Sequence, residues 1–281
     1  MHFLLAKPLV EELKKTLSKE VETLKSIHKK TPKLAVVLVG NNPASVIYTN
    51  KKGEMAKSLG IEHETVVLSE NPSPKEVKNT IQKLNIDNSV DAILIQRPLP
   101  RHFPEEDVLY WIDPRKDVDA FHPEQVGRLS LGLPCFKPCT PQGILELLHY
   151  YQFQPAYKLA CVVGRSSIVG KPMAQLLLQE NATVIQCHSK TLNLEAMTSQ
   201  ADLLIVAAGL KGLITADHVK KDAIVVDVGI HREGKRKISG DVCFDEVSKK
   251  ALAITPVPGG VGPMTIMMLM KNTIQAAKLH I

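Results

Sequence analysis

Aromatic side chains are scarce: six Phe, five Tyr and one Trp make up 4% of the 281 residues. Single-stranded nucleic acid is held by stacking bases on aromatic platforms. The formal charge of +6 therefore does not read as a nucleic-acid interface. Lys and Arg are interspersed with Asp and Glu, a pattern that equally suits anionic small ligands. Cysteines are few and unpaired in pattern: Cys135, Cys139, Cys161, Cys187 and Cys243 are an odd number with no C-x-x-C. Reduced thiols are expected rather than a disulfide framework or a zinc site. Long apolar runs are also missing. Residues 34–39 and 203–208 are the longest, far too short to cross a bilayer and well suited to buried strands. Residues 1–6 show no signal-peptide pattern, so a cytoplasmic protein without membrane contact is expected.

What is present is alternation. An amphipathic stretch at 9–29 precedes the apolar run 34–39, and the turn Gly40-Asn41-Asn42-Pro43 leads into a helix over 44–59 that Gly60 caps. Strand-like 64–68, a helix opening at Ser73-Pro74 and strand-like 91–96 follow. The β-α-β-α-β rhythm predicts a parallel sheet covered on both faces. Seven prolines between 97 and 141 mark irregular connections of the kind that line sites. Beyond a helix at 141–151, strands at 159–163, 183–186, 203–207 and 224–228 form a second set, and a last helix covers 265–278. The fold class is thus two α/β domains with parallel sheets and a cleft between them. The first spans residues 1–140 joined by the helix 265–281, and the second, Rossmann-type, spans 141–264.

The second domain carries the clearest motif. A buried-strand run at 159–163 passes directly into Gly164-Arg165-Ser166-Ser167-Ile168-Val169-Gly170, and a helix follows with Pro172 in its first turn. The loop departs from G-x-G-x-x-G, with Ser166 and Val169 at the second and third glycine positions. Its strand-turn-helix setting is that of a pyrophosphate site at a helix N-terminus. The next strand ends Cys187-His188-Ser189-Lys190, with no acid to hold a ribose diol. A hydroxyl and a cation there, with Arg165 in the loop, suit a 2′-phosphate and favour NADP over NAD. Farther on, Ala207-Ala208-Gly209 and Asp227-Val228-Gly229 end two strands in small residues, which lets a ligand approach the backbone closely. Three glycines and three prolines at 256–263 set an unusual path into the last helix.

In the first domain Tyr48 and Lys52 lie four residues apart on one helix face. A helical lysine is ordinarily solvated. Gln96, however, ends the third strand at the sheet edge where that helix begins, so the three side chains are expected to converge. Asp117 and Asp119 form an acid pair whose ordinary reading is a solvated or capping loop.

Taken together, these segments resemble the bifunctional methylenetetrahydrofolate dehydrogenase/methenyltetrahydrofolate cyclohydrolases over essentially the whole chain. The resemblance rests on residues 39–45 with Tyr48 and Lys52, on Gln96-Arg97-Pro98-Leu99-Pro100, on Lys116-Asp117-Val118-Asp119 and on Pro138-Cys139-Thr140-Pro141. It continues through Gly164-Arg165-Ser166, Ile168-Val169-Gly170, His188-Ser189-Lys190-Thr191 and residues 256–265. The resemblance implies oxidation of 5,10-methylenetetrahydrofolate with NADP, then hydrolysis to 10-formyltetrahydrofolate in one-carbon metabolism and purine biosynthesis. Lys52 would be the acid/base group, Gln96 its positioning partner and Tyr48 a neighbour of the folate ring. Asp119 would hold the pterin, with Gly259, Gly260 and Pro263 as further folate contacts. Gly164, Arg165, Ser166, Ile168, His188, Ser189 and Ile230 would meet the cofactor, no metal would be required, and a homodimer is implied.

Three positions depart from the family pattern. Arg97 stands where Leu is usual, Ala120 where Gly is usual and Gln125 where Asn is common. Ala120 would strain its loop if the glycine there served a positive φ. These changes leave a second reading open, a monofunctional dehydrogenase with impaired hydrolysis. A non-enzymatic alternative, nucleic-acid binding through the basic run 232–237, competes with a solvated hairpin turn.

Overall fold

The computed structural model describes residues 2–100, 103, 105–233 and 237–281. A two-residue strand β1 (His2–Phe3) and the long helix α1 (Ala6–His28) open the chain. Then β2 (Lys33–Val39), α2 (Pro43–Leu59), β3 (Glu62–Leu68), α3 (Pro74–Ile86) and β4 (Ala92–Ile95) alternate. Three helices follow: α4 (Glu105–Val108), α5 (Pro123–Ser130) and α6 (Cys139–Tyr150). The second alternating set is β5 (Leu159–Val163), α7 (Gly170–Gln179), β6 (Thr183–Cys187), α8 (Leu194–Thr198), β7 (Leu203–Val206) and β8 (Ile224–Asp227). Last come β9 (His231–Glu233), β10 (Lys237–Ser239), α9 (Phe244–Val247), β11 (Ala253–Ile254) and α10 (Val261–Leu279).

The chain divides into two compact units. One consists of Glu12–Cys139 with Ile266–Ile281, the other of Met1–Glu11 with Thr140–Thr265. The first eleven residues, expected in the N-terminal domain, pack with the second of these units in the structure. The reason is a pairing that local sequence does not announce: β1 runs parallel to β11, with His2 opposite Ala253 and Phe3 opposite Ile254. Tyr151 reinforces it, its hydroxyl donating to Leu5 O (3.0 Å) and accepting from Leu5 N (3.1 Å).

In the unit built on β2, the parallel sheet has the order β3-β2-β4. Central β2 is apolar and buried from Leu34 onward, as a strand covered on both faces requires. Edge strand β3 mixes Glu62, His63 and Glu64 with half-buried positions, as an unpaired edge requires. Beside β4, the turn at residues 114–119 touches the sheet edge through a single parallel bridge. Ile93 N donates to Lys116 O at 2.8 Å, and Ile93 bridges Asp117. Buried Lys116 locks this segment down by donating to Leu84 O (3.1 Å) and Asp87 O (2.8 Å), which satisfies carbonyls at the end of α3.

The other unit holds a six-stranded parallel sheet in the order β1-β11-β8-β7-β5-β6. From β5 the chain moves outward to β6, then returns to place β7 on the other side. The strand order therefore reverses between β5 and β7, at whose carboxyl ends such sheets bind ligands. Helix α10 begins at Val261, four residues before its expected start. Proline is tolerated at Pro263 because first-turn N–H groups have no acceptor within the helix. The antiparallel pair β9–β10 carries part of the basic run 232–237, of which 234–236 lie outside the described residues. No helix among the described residues is long and apolar enough to cross a membrane.

Asp91 shows how the smaller sheet is tied at its base. Its fully buried carboxylate accepts from Lys33 N (3.0 Å), pairs with Lys30 Nζ (2.7 Å) and meets His280 Nδ1 (3.1 Å). Asp91→Ala would strand these partners and is expected to cost about 2–4 kcal/mol in urea unfolding; a loss below about 0.5 kcal/mol would contradict this role.

Candidate active site and dinucleotide loop

Helix α2 is placed by its ends. Asn42 Oδ1 accepts from Ala44 N (3.0 Å) and Ser45 N (3.3 Å), Pro43 presets the first turn, and Gly60 at φ 78° closes the helix. Tyr48 and Lys52 thereby share a face, both partly buried. Lys52 Nζ donates to Gln96 Oε1 at 2.8 Å, and Gln96 Nε2 donates to Arg97 O at 2.6 Å. The second bond fixes which end of the amide faces the lysine. Gln96 itself sits one residue beyond β4, its N–H donating to Val37 O at 2.9 Å. Burial holds the Lys52 amine below the ordinary lysine value, while Asp119 and Cys139 pull it back up.

The 116–119 segment delivers Asp119 to this lysine. Burial raises the Asp119 carboxyl, and Lys52, a hydrogen bond from Cys139, and Arg97 act against that rise. Both acids are thus withdrawn from solvent rather than lying in a solvated loop. Asp117 does a different job: its buried carboxylate accepts from His122 N at 2.6 Å and turns the chain. Burial pushes it up to about 7, against the backbone N–H groups of His122, Phe121 and Ala120. That turn puts Ala120 at φ 60°, the left-handed region where a side chain costs about 1 kcal/mol or more. Arg97 points into the same small cavity as Asp119 and Phe121, its guanidinium 5.7 Å from the Phe121 ring centroid. Gln125 donates to Pro114 O (2.6 Å) and accepts from Phe136 N (3.0 Å), a scaffold role for this departure from the family pattern.

Cys139, noted in the sequence among the reduced thiols and within Pro138-Cys139-Thr140-Pro141 but given no role there, contributes to the site. Fully buried, its thiol lies 3.4 Å from Val118 O, and Asn272 Nδ2 approaches its sulfur at 3.7 Å. Asn272 also donates to Val118 O (2.8 Å) and Lys137 O (3.0 Å), so α10 braces the backbone beside Asp119. Burial drives the thiol well above its ordinary value, which keeps it a proton donor. No local sequence signal marks Asn272, which follows Lys271 and precedes Thr273.

In the other unit Gly164 ends β5 at φ 133°, and a Cβ there would run into the Ala207 carbonyl. A Cβ at Gly170 would likewise strike the Gly164 carbonyl. Ser166 Oγ accepts from Val169 N (3.2 Å) and Gly170 N (3.3 Å), so this hydroxyl shapes the turn into α7. Arg165, Ser166, Ser167 and Ile168 are left exposed. After β6, His188 Nδ1 accepts from Lys190 N (3.1 Å) and Thr191 Oγ1 from His188 N (2.8 Å). This tight turn presents Ser189 and Lys190 to solvent. Ile230 is exposed just beyond β8. Gly259, at φ 111°, accepts from Ala6 N (2.9 Å). Gly260 packs so closely on Thr255 and Pro256 O that no Cβ fits, and Pro263 lies in the first turn of α10. These residues belong to the unit of β5–β8, whereas Tyr48, Lys52, Gln96 and Asp119 belong to that of β2.

Comparison with known proteins matches both units. Residues 4–119 match the profile described as tetrahydrofolate dehydrogenase/cyclohydrolase, catalytic domain, and residues 138–281 match that of the NAD(P)-binding domain of the same family. The bifunctional protein FolD of Acetivibrio thermocellus is 51% identical over 274 residues, 98% of this chain and 96% of that protein. The crystal structure of the bifunctional FolD dehydrogenase/cyclohydrolase of Campylobacter jejuni superposes with a TM-score of 0.97 at 48% identity, covering 100% of both chains. A Trypanosoma brucei FolD complexed with NADP and an inhibitor gives 0.94 at 33% identity, covering 99% of this chain and 97% of that one.

The Gly164 turn yields a direct test. Gly164→Ala would combine positive-φ strain with overlap on the Ala207 carbonyl. Calorimetric titration should show dinucleotide affinity at least about tenfold weaker, roughly 1.4 kcal/mol; unchanged affinity would mean that the turn does not receive the phosphates.

Proposed function

The chain belongs to the tetrahydrofolate dehydrogenase/cyclohydrolase family, and on that footing we propose that it runs both reactions, with Lys52 as the acid/base group of the hydrolytic one. It oxidises 5,10-methylenetetrahydrofolate to the 5,10-methenyl form with NADP and hydrolyses that product to 10-formyltetrahydrofolate. The observation that carries this reading is the partly buried Lys52 held on Gln96 at 2.8 Å, with its amine below the ordinary lysine value.

NADP, when bound, accepts the hydride from the methylene carbon. The chain's own part in that step is to position the two partners and exclude water. The exposed Arg165, Ser189 and Lys190, with no carboxylate at the end of β6, fit a ribose 2′-phosphate better than a free diol. The turn at Gly164–Gly170 fits a pyrophosphate at the start of α7.

Hydrolysis asks more of the side chains. Water adds to the amidinium carbon, and one proton must leave that water while another reaches the departing ring nitrogen. Neutral Lys52 takes a proton from the attacking water and gives it to the departing ring nitrogen as the ring opens. The remaining hydroxyl proton leaves to solvent as the formyl C=O forms, the one proton the overall hydrolysis releases. Gln96 Oε1 aims the amine, and the cationic substrate favours its neutral form further. Asp119 is the group suited to hold the pterin's N–H donors, and Tyr48, one turn before Lys52, to pack beside the ring. Gly259, Gly260 and Pro263 are assigned to the folate on the family resemblance. Arg97 and Ala120 leave the Lys52–Gln96 pair intact, which supports hydrolysis alongside oxidation. The resemblance also supports a cytoplasmic homodimer that supplies 10-formyltetrahydrofolate to purine biosynthesis.

Lys52→Met is expected to abolish hydrolysis while the methenyl product still accumulates with NADP, followed by its absorbance. Unchanged hydrolysis would remove Lys52 from this role. Asp119→Asn is expected to weaken folate binding about tenfold or more while calorimetry finds NADP affinity intact. Equal loss of both would point to misfolding instead.

A further inference from the structure

The carboxyl ends of β7 and β8 are governed by two buried acids that the reactions above do not use. Asp241, fully buried, accepts through Oδ2 from Ala208 N (2.7 Å) and Gly209 N (2.8 Å), and its Oδ1 meets His231 Nε2 at 2.7 Å. Asp227, the last residue of β8, accepts through Oδ1 from Gly229 N and Asp241 N, both at 3.0 Å, and through Oδ2 from Val242 N at 3.1 Å. The arrangement is a chain of holds. Asp227 fixes the backbone of Asp241, and Asp241 fixes the residues that follow β7. Two glycines make room for it, since a Cβ at Gly240 would strike the Asp227 carboxylate and one at Gly229 the Asp241 carboxylate.

Stability alone is a poor reason for this arrangement. Burying a carboxylate costs several kcal/mol unless dense hydrogen bonding repays it, and apolar closure of such a loop is often as stable. What buried acids with several backbone donors supply is a fixed backbone position. The position fixed here has a place in the sheet. The order β8-β7-β5-β6 sets the loops after β7 and β8 on one side of the Gly164 turn and His188–Lys190 on the other. If the 2′-phosphate end of the dinucleotide lies by β6, the ring end lies by β7 and β8.

We propose that Asp241, seated on Asp227, is a positioning residue for the nicotinamide end of the dinucleotide, holding Ala208 and Gly209 where that end is received, beside the Gly229 that Asp227 holds. The proposal rests on the NADP reading above. Asp241 touches no reacting atom in this account; it acts through the N–H groups of Ala208 and Gly209.

Two ligands separate the ends of the site: NADP, and adenosine carrying 2′- and 5′-phosphates, which lacks the nicotinamide half. In calorimetric titrations Asp241→Ala should bind NADP about tenfold or more weakly while binding the adenosine bisphosphate as the unsubstituted protein does. Asp241→Asn should restore NADP affinity to within about threefold. Its amide oxygen still accepts both N–H groups and its amino group faces His231. Circular dichroism and a single cooperative thermal unfolding transition report that each variant is folded in both units. Should Asp241→Ala fail that control, Asp241→Ser, too short to reach both N–H groups, takes its place with the same expectation. Equal weakening of both ligands, or weakening of neither, would overturn the proposal. Failure of the unsubstituted protein to bind either ligand would overturn the NADP reading itself.

Discussion

The hydrogen bond from Lys52 to Gln96 is the constraint on which the rest of the catalytic unit depends. An amine withdrawn from water gives up part of its proton affinity, and that loss makes a lysine useful as a base near neutral pH. Withdrawal alone would also leave the group free to turn away. Gln96 prevents this, because its own amide is held by Arg97 O and its backbone by Val37 O. Asp119 provides the opposing influence: a carboxylate close enough to draw the lysine back toward its charged form. The site thus sets the amine between burial, which favours neutrality, and one acid, which limits it.

The surrounding fold serves that balance. Lys116 pins the turn beside β4, Asp117 turns the chain after it, and Asn272 and Cys139 brace the backbone at Val118. Ala120 takes a left-handed conformation in the same turn, a local cost accepted where Asp119 must be placed. The second unit spends its buried polar groups differently. There, Asp227 and Asp241 organise backbone amides rather than a titrating side chain. One unit tunes a titrating group and the other shapes a surface, which matches a division between proton transfer and hydride-carrier binding.

Much of this was legible in the sequence where the governing interactions are local. Gly60 marks the end of α2, and the apolar run 34–39 marks β2, because capping and burial act within a few residues. The nearness of Lys52 to Gln96 followed from parallel-sheet geometry, which puts helix starts and strand ends at one edge. Ala120 was flagged by the residue it replaces, and the positive φ gives the physical reason. What stayed hidden depends on long-range pairing. Two residues of β1 carry no strand signal of their own, yet they move the chain's start into the other unit. Asp241 carries no signal in the sequence, since its partners Ala208 and Gly209 lie over thirty residues away. The early start of α10 was obscured by Gly262 and Pro263, which weaken a helix interior but not its first turn.

The claim that most of the account leans on is that Lys52 is available as a neutral base. Carbon-labelled lysine, with the Lys52 resonance assigned by its loss in Lys52→Met, allows its titration to be followed directly by NMR. The account predicts a midpoint below about 10.4, the ordinary lysine value, and a lower one still when Asp119 is replaced by Asn. A Lys52 that titrates with the exposed lysines, indifferent to Asp119, would contradict it.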